Sequence, residues 1–317
     1  MLRGIARLAM FVAIVGCLGP ATAFGQDGDD PVHGVEVWAA ANLLDRDVKV
    51  EGALFVPDGI PRLRAVMVVI RWGSGPAVYE DQELRRAMAG LNVGLFLLTI
   101  DHIRQPVERR PPSSHVVRNA GMGGADGLRM LLTRMGAESG REELTDVPLV
   151  FWGFSAAGTF GVTYAELEPQ RTVAFVRYHS HLRDVPIDID AVARIPALLF
   201  AGEADETAGV EDTEALWLSG RQRSAPWAFA IEPGVTHGGV GPLKDANRLL
   251  IPWLTAVLRD RDGSDLETLG EASGWLGNHR THDVALHARY EGARVEASWL
   301  PDQSSALGWQ AVMDPSR

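Results

Sequence analysis

Ser155 stands among small residues, with Gly153 two places before it and Ala156, Ala157 and Gly158 directly after it. Ahead of it, residues 149–152 form a continuous apolar run, as expected of a strand buried on both faces of a parallel sheet. A strand that turns at once into a helix forces its corner residue into a strained backbone conformation. Side chains two places before the corner, and two or three after it, crowd against it, so only small residues fit there. The pattern thus displays one hydroxyl above the sheet, at a helix start whose unpaired N–H groups favour developing negative charge. That placement suits nucleophilic attack. A serine hydroxyl becomes a competent nucleophile when a base takes its proton and a third group orients that base.

Both partners have candidates downstream. Residues 197–200 are apolar and run into Ala201-Gly202-Glu203-Ala204-Asp205, a strand that closes in a Gly-x-x-Asp turn. Residues 228–231 are again strand-like, and Glu232-Pro233-Gly234-Val235-Thr236 then leads to His237, followed by Gly238 and Gly239. Glycines on both sides let a His-bearing loop fold back over the strand ends towards Ser155. Asp205 alone could cap the helix expected over residues 211–218, and His237 alone is one of nine histidines. Together they supply an acid and a base in the order that follows the hydroxyl.

Small-x-Ser-x-small-small, the Gly-x-x-Asp turn and the Gly-flanked His resemble the nucleophile elbow, acid turn and His loop of the α/β-hydrolase family. The dienelactone-hydrolase-like and secreted esterase branches are the most similar, with Ala157 where a second glycine is commoner. The resemblance covers residues 48–259. It implies an α/β fold, a mostly parallel central sheet with helices on both faces. It also implies that Ser155 attacks an acyl carbon, His237 shuttles the proton and Asp205 orients the imidazole, with no cofactor and no metal. Two backbone donors must meet the oxyanion. The N–H of Ala156 is one. Ser74, within Trp72-Gly73-Ser74-Gly75, is the other, where many members carry His-Gly-x-Gly; Trp72 replaces the usual His. Trp72, Phe154, His179 and His181 are the pocket-lining candidates. The expected reaction is hydrolysis of a carboxylic ester, on a small-molecule or glycan-linked substrate. The alternatives are an amidase or peptidase of the same fold, and a non-catalytic protein that holds a glycan or partner through its tryptophans.

The elements that must position these groups follow from hydrophobic patterning. Strands are expected over residues 48–56, 65–70, 93–100, 172–178, 197–200 and 228–231. Helices are expected over 80–89, 124–135 and 246–259, the last kinked at Pro252. Residues 103–121, rich in Pro and Arg, read as a long loop. Strands alternate with helical segments, the mark of a parallel sheet covered on both faces. The connection 180–196 has room for one short helix at 190–194 and carries Asp184, Asp188 and Asp190, an acidic and solvated loop. His179-Ser180-His181 puts two imidazoles on one side of a strand end, a start for zinc that lacks a third ligand of suitable spacing.

With 317 residues and 46% hydrophobic content the chain can bury a full core. Residues 1–25 read as an export signal: Arg3 and Arg7, an apolar run to Leu18, and small residues around Ala23 and Gly25. The run is too short to span a bilayer. Ile14-Val15-Gly16-Cys17 resembles a lipobox, so a lipid anchor at Cys17 is the alternative to simple cleavage. The expectation is a periplasmic or secreted protein. Cys17 is the single cysteine, so a cleaved chain has no internal disulfide. The formal charge of −11 becomes −13 once the two arginines of the leader are gone. That balance argues against nucleic acid or an anionic membrane as partner. The main domain is expected over 26–262. Residues 263–317 fall outside its alternation yet hold Trp275, Trp299 and Trp309, and are expected to dock on it. There, strands are expected over 283–290 and 293–300 and a helix over 304–313.

Overall fold

The computed structural model describes residues 31–103, 114–181, 185–237, 244–259 and 271–316. The leader with Cys17, the arginine-rich part of the 103–121 loop, Asp184, Gly238 and Gly239 lie outside the described residues.

Eight strands form one sheet: β1 (Gly34–Leu43), β2 (Val48–Pro57), β3 (Ala65–Ile70), β4 (Val93–His102), β5 (Leu149–Phe154), β6 (Thr172–Tyr178), β7 (Ala197–Gly202) and β8 (Trp227–Glu232). Their spatial order is β1-β2-β4-β3-β5-β6-β7-β8. β1 and β2 run antiparallel, β2 pairs antiparallel with β4, and from β4 to β8 all pairs are parallel. The parallel strands are apolar along their length because both faces are covered. Along β5, Leu149 and Phe151 enter one core layer while Val150, Trp152 and Phe154 enter the other.

On the first face lie α3 (Ser114–Arg118), α4 (Gly124–Ser139), α5 (Gly158–Leu167), the short α6 (Ile189–Val192) and α7 (Glu211–Arg221). They contribute Val116, Leu128, Leu131, Phe160, Val192 and Trp217 to that layer. On the second face, α1 (Gly75–Glu80), α2 (Gln82–Ala89), α8 (Lys244–Arg259) and α9 (Gln303–Met313) contribute Val78, Leu84, Met88, Leu250, Trp253 and Trp309. Burying such a side chain contributes roughly 1.5–3 kcal/mol. The fold class is therefore α/β with a mostly parallel sheet between two helical layers.

Several elements differ from the sequence reading. The helix expected over 80–89 is α2, and an unforeseen helix, α1, ends just ahead of it at Asp81, whose backbone is extended and whose carboxylate accepts the Leu84 N–H at 2.7 Å. Aspartate caps a helix start better than it continues a helix interior. The long loop expected at 103–121 contains α3 and a 3-10 turn at Ala120–Met122. The acidic connection is partly structured, since Asp188 caps α6 and Asp190 pairs with Arg223. α8 carries Pro252 inside it, in agreement with the helix expected over 246–259. Proline has no N–H for the Arg248 carbonyl, and Gly308 of α9 packs there: an added Cβ would lie 2.2 Å from that oxygen.

At the C-terminal end, β9 (Trp275–Asn278) is the centre of a three-stranded antiparallel sheet between β10 (Val284–Leu286) and β11 (Ala297–Leu300). The two strands expected at 283–290 and 293–300 are shorter than read, and the central one was not foreseen. Trp299 and Trp309 are fully buried. This segment meets the open edge of β8 with side chains. Phe229 N–H donates to Ser298 Oγ (2.8 Å), and Ser298 Oγ and Trp309 Nε1 donate to the Phe229 carbonyl (2.9 and 2.6 Å). Ile231 N–H meets Met313 Sδ at 3.0 Å.

Candidate active site

β5 ends at Phe154, and Ser155 opens a 3-10 turn that runs directly into α5. Ser155 has φ of +53°, the left-handed region that a side chain makes costly. The corner is held by packing: Ala157 and Phe160 are fully buried beneath it, and Phe154 packs with Tyr178 on the other face.

The acid turn and the His loop extend the β7–β8 ladder past its last strand residues. Glu203 N–H donates to the Glu232 carbonyl and Ala204 N–H to the Val235 carbonyl, each at 3.0 Å. This ties the two loops together before either side chain is considered. Asp205 Oδ1 accepts the N–H groups of Thr207 and Ala208, both at 2.9 Å. Its other oxygen, Oδ2, is left for His237 Nδ1 at 2.8 Å, and His237 Nε2 lies 2.9 Å from Ser155 Oγ. Burial pushes the Asp205 carboxyl up. The Ala208 N–H, the His237 ring and the Thr207 N–H outweigh it and hold Asp205 below the usual aspartate range. The His237 ring rests on Phe154, with centroids 5.0 Å apart. An anionic Oδ2 on Nδ1 fixes the tautomer that leaves Nε2 free to take the serine proton.

The Ala156 N–H stands in the first turn of the following helix, where backbone donors have no intrahelical acceptor. The loop after β3 lies beside it, with Gly73 against the Phe154 ring. Ser74 begins α1, and its buried hydroxyl has no hydrogen-bond partner among the described residues. Trp72 is half-buried and packs against both core layers.

His179, a pocket-lining candidate, is buried behind Asp205. Its Nε2 lies 2.8 Å from Glu232 Oε2 and its Nδ1 lies 3.5 Å from Asp205 Oδ2. His181 is buried as well. Among the described residues no group of three or more His, Cys, Asp or Glu side chains is placed to hold a metal ion. Sequence reasoning passed over Glu232 and Tyr178. The Glu232 carboxylate takes the hydrogen bonds of both His179 and Tyr178, and burial, then Glu232, raises the Tyr178 hydroxyl. The available signal was an acidic residue closing a buried, apolar strand.

No family model matches the chain, and no curated protein matches it. Solved structures do. A ferulic acid esterase is 11% identical with a TM-score of 0.51, covering 72% of this chain and 99% of its own. The acylaminoacyl peptidase of Pyrococcus horikoshii is 12% identical with a TM-score of 0.50, covering 75% of this chain. A thermostable esterase is 15% identical with a TM-score of 0.45, covering 62% of this chain. The chain spans 44% of that peptidase and 54% of that esterase. At such identity the likeness is one of architecture, and with the sheet order and the strand-turn-helix at Ser155 it leads to one statement: the chain has the α/β-hydrolase fold.

Proposed function

We propose that this protein is a serine hydrolase that cleaves carboxylic esters through an acyl-enzyme. The observation that carries the reading is the unbroken chain Ser155 Oγ, His237 and Asp205 Oδ2, at 2.9 and 2.8 Å, with Ser155 in a strained corner. Ser155 Oγ attacks the acyl carbon while its proton passes to His237 Nε2, and Asp205 holds the imidazolium. The oxyanion is met by the Ala156 N–H and by a donor of the Gly73–Ser74 backbone. Collapse of the tetrahedral species passes the proton from Nε2 to the leaving oxygen. Water then repeats the sequence on the acyl-enzyme, with His237 as base, and frees Ser155.

The names of the ferulic acid esterase and the acylaminoacyl peptidase span ester and amide chemistry, so the fold does not choose between them. Ester cleavage asks less of the site, because an ester carbonyl is less stabilised by resonance than an amide and an alkoxide leaves far more readily than an unprotonated amide nitrogen. The substrate class is a small-molecule or glycan-linked ester, and the residues in these roles need no cofactor. The leader at 1–25 supports export to the periplasm or beyond, with a lipid anchor at Cys17 as the alternative. Intact mass of the exported protein decides between a new N-terminus near Phe24 or Gln26 and a diacylglyceryl-modified Cys17.

The test is fluorophosphonate labelling with p-nitrophenyl acetate turnover, on wild type and on Ser155→Ala. Labelled, active wild type and a folded, silent variant support the reading. Label retained in the variant moves the nucleophile elsewhere. An unlabelled wild type leaves a binding protein on this scaffold.

A further inference from the structure

A second imidazole stands behind Asp205, outside the proposed proton path. His179 follows β6 at once with φ of +46°, and its side chain is 1% exposed. The ring stacks on Tyr178 with centroids 4.3 Å apart, and its backbone N–H donates to the Phe200 carbonyl at 3.0 Å. It passes β7 only because residue 202 is glycine: a Cβ there would lie 2.3 Å from the Val235 carbonyl oxygen and 2.9 Å from His179 Cε1. Held this way, Nε2 is 2.8 Å from Glu232 Oε2 and Nδ1 is 3.5 Å from Asp205 Oδ2, the oxygen that also takes His237 Nδ1. The first contact is a hydrogen bond; the second is at ion-pair distance and is not a hydrogen bond, and Nδ1 has no hydrogen-bond partner among the described residues. The titratable groups facing the ring are Asp205 from the turn after β7, Glu232 from the end of β8, His237 beyond Asp205, and Tyr178 on its own strand.

A strained, buried imidazole between two carboxylates is a costly arrangement for a fold to keep. We propose that His179, held by Glu232, is a positioning residue for Asp205. As an imidazolium, protonated on both nitrogens, it turns Nδ1–H towards Oδ2, so that this oxygen divides its negative charge between two imidazoles and His237 takes up a proton less readily. Glu232 completes the pair by accepting the hydrogen bond of Nε2–H, which orients Nδ1–H towards Asp205. The consequence for turnover rests on the serine-hydrolase reading; the geometry does not. A base that resists protonation keeps the site working at lower pH.

The experiment compares wild type with His179→Gln and Glu232→Gln. It follows the acid limb of kcat/KM with p-nitrophenyl acetate and the low-field proton resonance of His237 Nδ1–H, which needs no substrate and is assigned by its loss in His237→Gln. Both variants should move the acid limb to higher pH by about one unit and displace the resonance, with KM changed little. Either readout unmoved in the folded variants overturns the proposal, as does a shift of the limb to lower pH. If both variants unfold, the pair serves the fold and the proposal falls. Should wild type show neither label nor turnover, the hydrolase reading has failed, and the resonance alone decides whether His179 acts on Asp205.

Discussion

A Cβ placed on Gly153 would lie 2.2 Å from the carbonyl oxygen of Ala157 and 2.8 Å from the nitrogen of Gly158. Both are backbone atoms, so neither can step aside without opening the turn that presents Ser155. Gly153→Ala should destabilise the protein by about 2–3 kcal/mol and slow fluorophosphonate labelling of the molecules that still fold. Urea unfolding and labelling rates measure the two effects. A stable variant that labels at the wild-type rate would show that the corner is looser than its contacts imply.

Asp205 is the carboxylate joined to His237, and Asp188 and Asp190 of the β6–β7 connection have other employment. Asp188 caps α6 and Asp190 pairs with Arg223. Asp205→Asn should therefore lower kcat by roughly 10⁴, through the wrong imidazole tautomer. Asp188→Asn and Asp190→Asn should leave it unchanged. Steady-state turnover of the three variants checks this, and a crippled Asp190→Asn beside an active Asp205→Asn would reverse the assignment.

Substrate range follows from what stands over the strand ends. Between β6 and β7 the described residues hold only the four-residue α6, too little for a cap, and nothing there offers the broad apolar face that a lipid surface requires. Short-acyl or bulky soluble esters should be preferred. The check is kcat/KM along p-nitrophenyl esters from acetate to palmitate, with an emulsified triglyceride beside them. A maximum at long chains with a jump at the oil interface would contradict it.

Acid should weaken the fold through His279. Its ring lies among Trp217, Phe229 and Trp309, with Nε2 2.8 Å from Ser298 Oγ. Burial, and then the charge of His282, lowers it from 6.5 to about 3. Between those values the unfolded chain binds a proton that the folded one refuses. Stability is thus complete above pH 6.5 and is lost as pH falls towards 3, with a loss on the order of 3 kcal/mol by pH 4. Urea unfolding of wild type and His279→Asn at pH 7, 6, 5 and 4 should show a steeper decline in wild type. Parallel declines would place the acid sensitivity elsewhere.

What the sequence disclosed depended on whether the cause was local. The strand β5 is continuous apolar chain, and the crowding around Ser155 involves residues within three places of it, so both could be read directly. Asp205 and His237 each close a strand and lie where a parallel sheet gathers its loops. The break at Asp81 was hidden because aspartate fits the polar side of a helical pattern until its cap is seen. β9 was missed because four residues, two of them Gly277 and Asn278, carry little periodicity and gain their meaning from partners on both sides. His179 and Glu232 are 53 residues apart; their contact arises from the order of β6, β7 and β8, which no spacing announces.

The edge of β8 has a consequence for synthesis. The partners of Phe229 and Ile231 are Ser298, Trp309 and Met313, and the Arg248 carbonyl that Pro252 leaves open is packed by Gly308. Ser298, Gly308, Trp309 and Met313 all come after α8 in sequence, so they leave the ribosome later than the sheet they cover. A chain made up to α8 can assemble its sheet and bring Ser155, Asp205 and His237 within reach, yet it carries a bare strand edge that invites pairing with another chain. Residues 297–313 act as a stopper inserted after the sheet, and a molecule nascent or clipped ahead of them is most exposed to aggregation.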